Sequence, residues 1–253
     1  MAKILTDYQL KKLQETFSIT DKIYLYAEGL ADLEDQIHVS ENEYAQKYLC
    51  TNEHDKYLSF KFQKRKTEWL GGRIAAKKAL RALLAELGYL LRPQELEISS
   101  TIEGRPLFIK PVEITETIDI SISHSAKYAA ALTVKDAVCG LDLQKITQTL
   151  HKVQSRFATD AERKILQQHF CFQPYEKSWD LALLWTAKEA FRKSVPTKPL
   201  LGFLEVTLES IVGDPETGLV ASFSCSRKEV GESLKAYVTL SGDFAIAISI
   251  LPA

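Results

Sequence analysis

Ala75-Ala76-Lys77-Lys78-Ala79-Leu80 and Thr186-Ala187-Lys188-Glu189-Ala190-Phe191 are two versions of one helical phrase, set 111 residues apart (186 − 75). A second echo runs in the same order. Tyr128-Ala129-Ala130-Ala131-Leu132 returns as Phe244-Ala245-Ile246-Ala247-Ile248 at an offset of 116 (244 − 128). Alanine-rich helices resemble one another by chance, so either match alone says little. Two matches in one order at nearly equal offset predict a duplicated unit in which a long helix is followed by strands. A chain of 253 residues has room for one large domain or two small ones. The predicted fold is therefore α+β, with two similar subdomains, each a long helix packed on a mainly antiparallel sheet. The boundary is placed near Lys135-Asp136, giving subdomains 1–136 and 137–253.

Local signals support that plan. Residues 7–16 read as a helix, and a long helix is expected from Arg65 to Leu87, stopped by Gly88. Residues 41–60 are mixed and lean helical. Ile23 to Tyr26, Leu96 to Ser99, Ile118 to Ser123, Tyr128 to Val134 and Val138 to Leu143 read as strands; Ile118-Asp119-Ile120-Ser121-Ile122 alternates with period two, as a half-buried strand does. Glu103-Gly104-Arg105-Pro106 reads as a turn. In the second half, helices are expected near 160–169 and 177–195. Strand-like runs follow at 206–208, 221–223, 236–240 and 244–251, with a turn at Asp214-Pro215-Glu216-Thr217-Gly218.

Composition narrows the function classes. The chain is 45% apolar and 26% charged with net charge −1, an ordinary globular balance that gives no support for bulk nucleic-acid binding. No apolar run approaches the ~20 residues of a membrane span. Met1 to Asp7 contains no apolar stretch, so no signal peptide is expected. Cys50, Cys139, Cys171 and Cys225 form no C-x-x-C pair and suit neither a zinc site nor a disulfide framework, which points to reduced thiols and a cytoplasmic protein.

Two carboxylates stand out. Asp142 lies in Val138-Cys139-Gly140-Leu141-Asp142-Leu143, and an unpaired charge in a buried strand is costly, so it needs a cation or strong donors. A strand-end Asp capping a turn is the plainer alternative. Asp142 and Gln144 are two apart and share a strand face. Glu189 follows Lys188 on the second long helix, where Trp185, Glu189 and Lys193 share a face. A solvated Lys-Glu step is the plain reading there. Two acids on separate elements suit magnesium, which takes one or two carboxylates from protein and the rest from water and phosphate. Lys64, Arg65, Lys66, Arg73 and Lys77 form the one dense basic cluster, suited to a phosphate-rich ligand or simply to water. Ser123-His124-Ser125 ends a strand. No G-x-S-x-G elbow is present, and nothing places an acid to orient His124.

In order, the chain carries Trp69-Leu70-Gly71-Gly72-Arg73-Ile74-Ala75-Ala76-Lys77, Gly104-Arg105-Pro106, Ser121-Ile122-Ser123-His124-Ser125, Gly140-Leu141-Asp142-Leu143 and Trp185-Thr186-Ala187-Lys188-Glu189-Ala190-Phe191-Arg192-Lys193. This ordered set resembles the 4′-phosphopantetheinyl transferases of the surfactin-synthetase-activating, pseudo-dimeric type. The resemblance implies transfer of the phosphopantetheine arm of coenzyme A to a serine of an apo acyl or peptidyl carrier protein, releasing adenosine 3′,5′-bisphosphate. It implies Mg²⁺ on Asp142 and Glu189, with Gln144 beside it where many members carry Glu. It makes Glu189 the base for the carrier serine and Lys188 a neutraliser of phosphate charge. Arg73, Arg105 and His124 would hold the phosphates of coenzyme A, with Ser123, Lys77 and Lys193 assisting. The site would draw on both halves, in one monomeric chain. Two rival readings stay open: a non-catalytic coenzyme A- or nucleotide-binding member with a decayed metal site, which Gln144 favours, and an interaction domain with no small ligand.

Overall fold

The computed structural model describes residues 4–19, 23–109, 111, 113–170, 179–195, 197–227, 230 and 234–252. Cys171 and the first two residues of the helix expected at 177–195 lie outside them. The chain divides into two compact units, one formed chiefly by Asp21–Val138 and the other by Leu5–Thr20 with Cys139–Leu251.

The amino-terminal helix, α1 (Asp7–Phe17), belongs to the second unit, although the sequence reading puts it with the first. Thr6 and Gln9 close a capping box at its start. Gln9 then reaches on, donating from Nε2 to the Glu216 carbonyl at 2.7 Å and to Thr239 Oγ1 at 2.8 Å.

The first unit contains β1 (Tyr24–Gly29), α2 (Leu30–Tyr48), α3 (Thr51–Leu58), α4 (Gln63–Glu86), β2 (Glu97–Ser100), β3 (Pro106–Ile109), β4 (Ile118–Ser125) and β5 (Tyr128–Lys135). Helix α4 forms because a run rich in Ala, Leu, Lys and Arg follows Gln63, and it ends before Gly88, whose φ of +91° a side chain would resist. Its buried face includes Leu70, Ile74, Ala75, Ala76, Leu80 and Leu84. Two glycines let it sit close. A Cβ on Gly71 would meet Leu30 Cδ2 at 2.7 Å, and one on Gly72 would meet Ile122 Cγ2 at 2.9 Å. Strands pair antiparallel in the order β1-β5-β4, and β2 and β3 form a separate antiparallel pair.

The second unit continues with β6 (Ala137–Lys145), α5 (Thr149–Val153), α6 (Asp160–His169), α7 (Trp179–Ser194), β7 (Val206–Asp214), β8 (Gly218–Cys225), β9 (Leu234–Ser241) and β10 (Phe244–Pro252). Its five strands run β6-β10-β9-β8-β7. Helix α7 buries Leu183, Ala187, Ala190 and Phe191 in one cluster with Leu208, Ala221, Phe223, Ala236 and Val238. Each large side chain so buried contributes about 1.5–3 kcal/mol.

The two units share a plan. A short helix and a long helix precede a hairpin (β2-β3, β7-β8) and then a second hairpin (β4-β5, β9-β10), and an earlier strand (β1, β6) pairs outside the last. The first unit splits into three strands and two where the second has five. Several elements exceed the sequence expectation. Helix α2 starts at Leu30 rather than near 41, on the buried positions Leu30, Leu33 and Ile37, and Pro106–Ile109 is a strand where a turn was expected to end. Among the described residues no helix is long and apolar enough to cross a membrane.

Candidate active site

Asp142 and the motif helix α7 meet because of Gly140. A Cβ at Gly140 would stand 1.8 Å from the Ala190 carbonyl oxygen and 2.8 Å from Ser194 N. Backbone of α7 therefore rests directly on β6, an approach that glycine alone permits. Two residues along the strand, Asp142 Oδ1 lies 2.7 Å from Lys193 Nζ, and that ammonium also donates to the Leu141 carbonyl at 2.9 Å. One turn back on the helix, Glu189 Oε1 lies 2.9 Å from Arg192 Nη1. Arg192 is itself fixed: Nε donates to the Leu201 carbonyl, and the guanidinium stacks over the Phe203 ring, 4.2 Å from its centre.

Burial pushes the Glu189 carboxyl above the ordinary carboxylate range; the charge of Asp142 adds to this, while Arg192 and Lys193 oppose it. Two acids thus act on each other across β6 and α7, with a cation on each. Gln144 follows on the same side of β6, half-buried, its Nε2 donating to the Lys145 carbonyl at 2.8 Å. Among the described residues no group of three or more His, Cys, Asp or Glu side chains could hold a metal. A pair of carboxylates with an amide oxygen lies below that count, yet it fits magnesium, an oxygen-seeking ion that keeps waters. A divalent cation beside the pair would favour the charged form of Glu189.

Lys188 is engaged by Glu162 and two carbonyls. Its ammonium is wholly buried, 2.6 Å from Glu162 Oε1, and donates to the Phe157 and Phe203 carbonyls at 2.7 and 3.1 Å. Glu162 in turn accepts from Leu208 N at 2.8 Å and from Thr159 N at 2.8 Å. The expected neutraliser of phosphate charge forms a pin joining α7, the start of α6 and the edge strand β7.

The first unit repeats this pin. Lys77 Nζ pairs with Glu53 Oε2 and donates to the Tyr48 and Pro93 carbonyls at 2.8 and 3.0 Å. Glu53 accepts from Cys50 N and Ile98 N, both at 3.0 Å. The offsets are 111 for the lysines (188 − 77), 109 for the glutamates (162 − 53) and 110 for the strand amides (208 − 98). Arg73 joins the same cluster: it is buried, donates to Ser100 Oγ at 3.4 Å, lies 3.8 Å from Glu53 and stacks over Trp69. Lys77 and Arg73, expected at coenzyme A phosphates, are interior groups, Lys77 ion-paired with Glu53 and Arg73 3.8 Å from it.

The other phosphate candidates lie elsewhere in the first unit. Arg105 pairs with Asp119 and is partly exposed. Ser123 is buried near the end of β4. His124 is exposed, with its Nε2 3.3 Å from Arg65 Nη1 and 3.9 Å from Glu68 Oε2.

Comparison with known proteins decides the family. Residues 138–249 match the model of the 4′-phosphopantetheinyl transferase superfamily. The Holo-[acyl-carrier-protein] synthase of Bacillus subtilis is 35% identical over 95 residues, 37% of this chain and 78% of that protein. The chain belongs to the 4′-phosphopantetheinyl transferase superfamily. Proteins of the same name from Anoxybacillus flavithermus and Lactococcus lactis subsp. cremoris are 34% and 40% identical over 93 residues, in each case 36% of this chain and 76% of the relative.

The superfamily segment takes in Asp142, Gln144, Glu189 and Lys193. It also takes in the Lys188–Glu162 pin. Glu162 was absent from the sequence reading although Thr159-x-x-Glu162 spells a capping box. Arg192 was quoted within the motif and given no role. Arg65 was counted in the basic cluster, without its neighbour His124.

Proposed function

We propose that this protein transfers the 4′-phosphopantetheine group of coenzyme A to a serine hydroxyl of an apo carrier protein, releasing adenosine 3′,5′-bisphosphate, with Mg²⁺ held by Asp142 and Glu189. The relatives, named as holo-[acyl-carrier-protein] synthases, support the reaction. The observation that carries the site is the opposed carboxylate pair on β6 and α7 inside the superfamily segment.

Magnesium bound there supplies a positive charge against the pyrophosphate as the phosphoryl group moves. The rest falls to side chains. Asp142 and Glu189 hold the ion, and Gln144 offers an amide oxygen or orients a bound water. Lys193, 2.7 Å from Asp142, is the cation proposed to contact a phosphate oxygen. Glu189, with its carboxyl raised toward proton affinity, accepts the proton of the carrier serine, directly or through water. Arg105, Ser123 and His124 remain the groups proposed for the phosphates of coenzyme A. Transfers of this kind depend on positioning and charge stabilisation more than on covalent help.

The surfactin-synthetase-activating, duplicated type is part of the proposal. It is supported by the Glu–Lys pin built twice, with the same backbone partners, in one chain. A monomer and a cytoplasmic location follow from the same reading. Gln144, standing where many members carry Glu, favours the second reading, a coenzyme A-binding member without turnover. Incubation of apo carrier proteins with coenzyme A and Mg²⁺, read by mass spectrometry, separates the two. The proposed enzyme adds the phosphopantetheine mass to the carrier serine; a binder shows thermal stabilisation by coenzyme A and no mass gain.

A further inference from the structure

Four charged groups meet at the carboxylate pair. Lys193 lies 2.7 Å from Asp142 and Arg192 2.9 Å from Glu189, so each acid already has a cation. Arg192 is no mobile surface tail. Its side chain is 14% exposed, its Nε is tied to the Leu201 carbonyl and its plane lies on Phe203. Beyond Phe203, Glu205 is held by Arg227 through two 2.8 Å contacts, and Arg192 acts on it only as the weakest of the charges it meets. Glu189 takes the guanidinium through Oε1.

At Glu189 the fixed guanidinium already offsets the carboxylate charge. A bare magnesium ion would bring two positive charges to it and would stand beside a fixed guanidinium. A magnesium ion carrying a doubly negative pyrophosphate brings no net charge, and the guanidinium then faces an anion. Like charges repel with an energy that falls only as 1/r in a partly buried site, and salt screens it poorly there. We propose that Arg192 makes this site selective for magnesium already paired with the coenzyme A pyrophosphate, by neutralising Glu189 and so weakening the site for the bare ion. Arg192 acts through Glu189 and is a positioning residue. The inference rests on the proposed function, and its test is chosen to fail separately.

Titration calorimetry of Mg²⁺, with and without saturating coenzyme A, is applied to wild type, Arg192→Gln, Arg192→Leu and Arg192→Lys. Circular dichroism checks each fold, and Gln, which keeps a donor for Glu189, serves if Leu does not fold. Wild type is expected to bind the bare ion weakly and to gain affinity with coenzyme A. Either neutral variant should bind the bare ion about tenfold or more tightly than wild type. It should lose a like factor of the gain from coenzyme A. Arg192→Lys, which keeps the charge but not the fork, should follow wild type. An unchanged or weaker bare-ion affinity in the neutral variants overturns the inference, as does Arg192→Lys behaving like Arg192→Gln. If wild type binds no magnesium even with coenzyme A, or Asp142→Ala and Glu189→Ala bind it as wild type does, the metal assignment itself fails, whatever Arg192 does.

Discussion

Replacing Lys188 with Met separates a structural pin from a neutraliser of phosphate charge. Lys188 and Glu162 have no exposed side-chain surface, so water screens neither. The substitution keeps the apolar stem and removes the charge. Glu162 is then left as a buried carboxylate with amide and hydroxyl donors only, and the Phe157 and Phe203 carbonyls each lose a donor. Breaking a buried pair from one side costs about 3–5 kcal/mol. The two carbonyls share that cost rather than adding to it in full, since neighbouring effects do not sum. A loss of about 4 kcal/mol is a large part of the roughly 5–15 kcal/mol that holds a folded protein together. At roughly 2–4 °C per kcal/mol for a chain of this size, Tm should fall by about 8–16 °C. Urea unfolding followed by circular dichroism measures it. Glu162→Gln, which retains a cap for α6, should lose less. Lys77→Met should lose a similar amount in the first unit. A stability within about 1 kcal/mol of wild type, or transfer lost with the unfolding curve unmoved, would refute the argument and return Lys188 to the chemistry.

Two further outcomes follow from the geometry. Gly140→Ala puts a methyl against the Ala190 carbonyl and should push α7 from β6, at a cost of about 1–3 kcal/mol or more; because Glu189 and Asp142 then separate, kcat should fall by roughly a hundredfold, which steady-state kinetics on the folded variant would measure. Arg227 holds the Glu205 carboxyl down at about 2, against an ordinary 4.5. The pair therefore adds stability above pH 4.5 that is lost as pH falls toward 2, and acid titration of Arg227→Gln should show that part of the pH dependence flattened.

The duplication was legible because helical periodicity and alternation survive copying. The phrase around Lys77 and Lys188 marked the two long helices, and those helices form at the expected places. Helix α2 was harder to see. Leu30, Leu33 and Ile37 carry its periodicity, but they sit among Glu, Asp and Gln, which say nothing about tertiary burial. The strand β3 hid behind Pro106, which reads as a turn. At the site, Asp142 could be singled out because a lone acid in an apolar strand needs a reason. Lys77 and Lys188 misled for the converse cause: their partners, Glu53 and Glu162, lie 24 and 26 residues away in sequence (77 − 53, 188 − 162). A lysine on a motif helix looks available until the acid that claims it is known. Gly140 had no visible function in one dimension, because the backbone it admits belongs to another element.

The most direct test of the account is a magnesium titration of carrier phosphopantetheinylation at saturating coenzyme A, run on wild type, Asp142→Ala and Glu189→Ala after removal of divalent metal. Wild type should be inert without metal and recover with Mg²⁺. Each folded variant should turn over roughly a hundredfold or more slowly at any magnesium concentration, as losses of preorganised charge stabilisation do. Transfer by either variant at close to the wild-type rate, or wild-type transfer that persists without divalent metal, would contradict the assignment of Asp142 and Glu189 as the magnesium site.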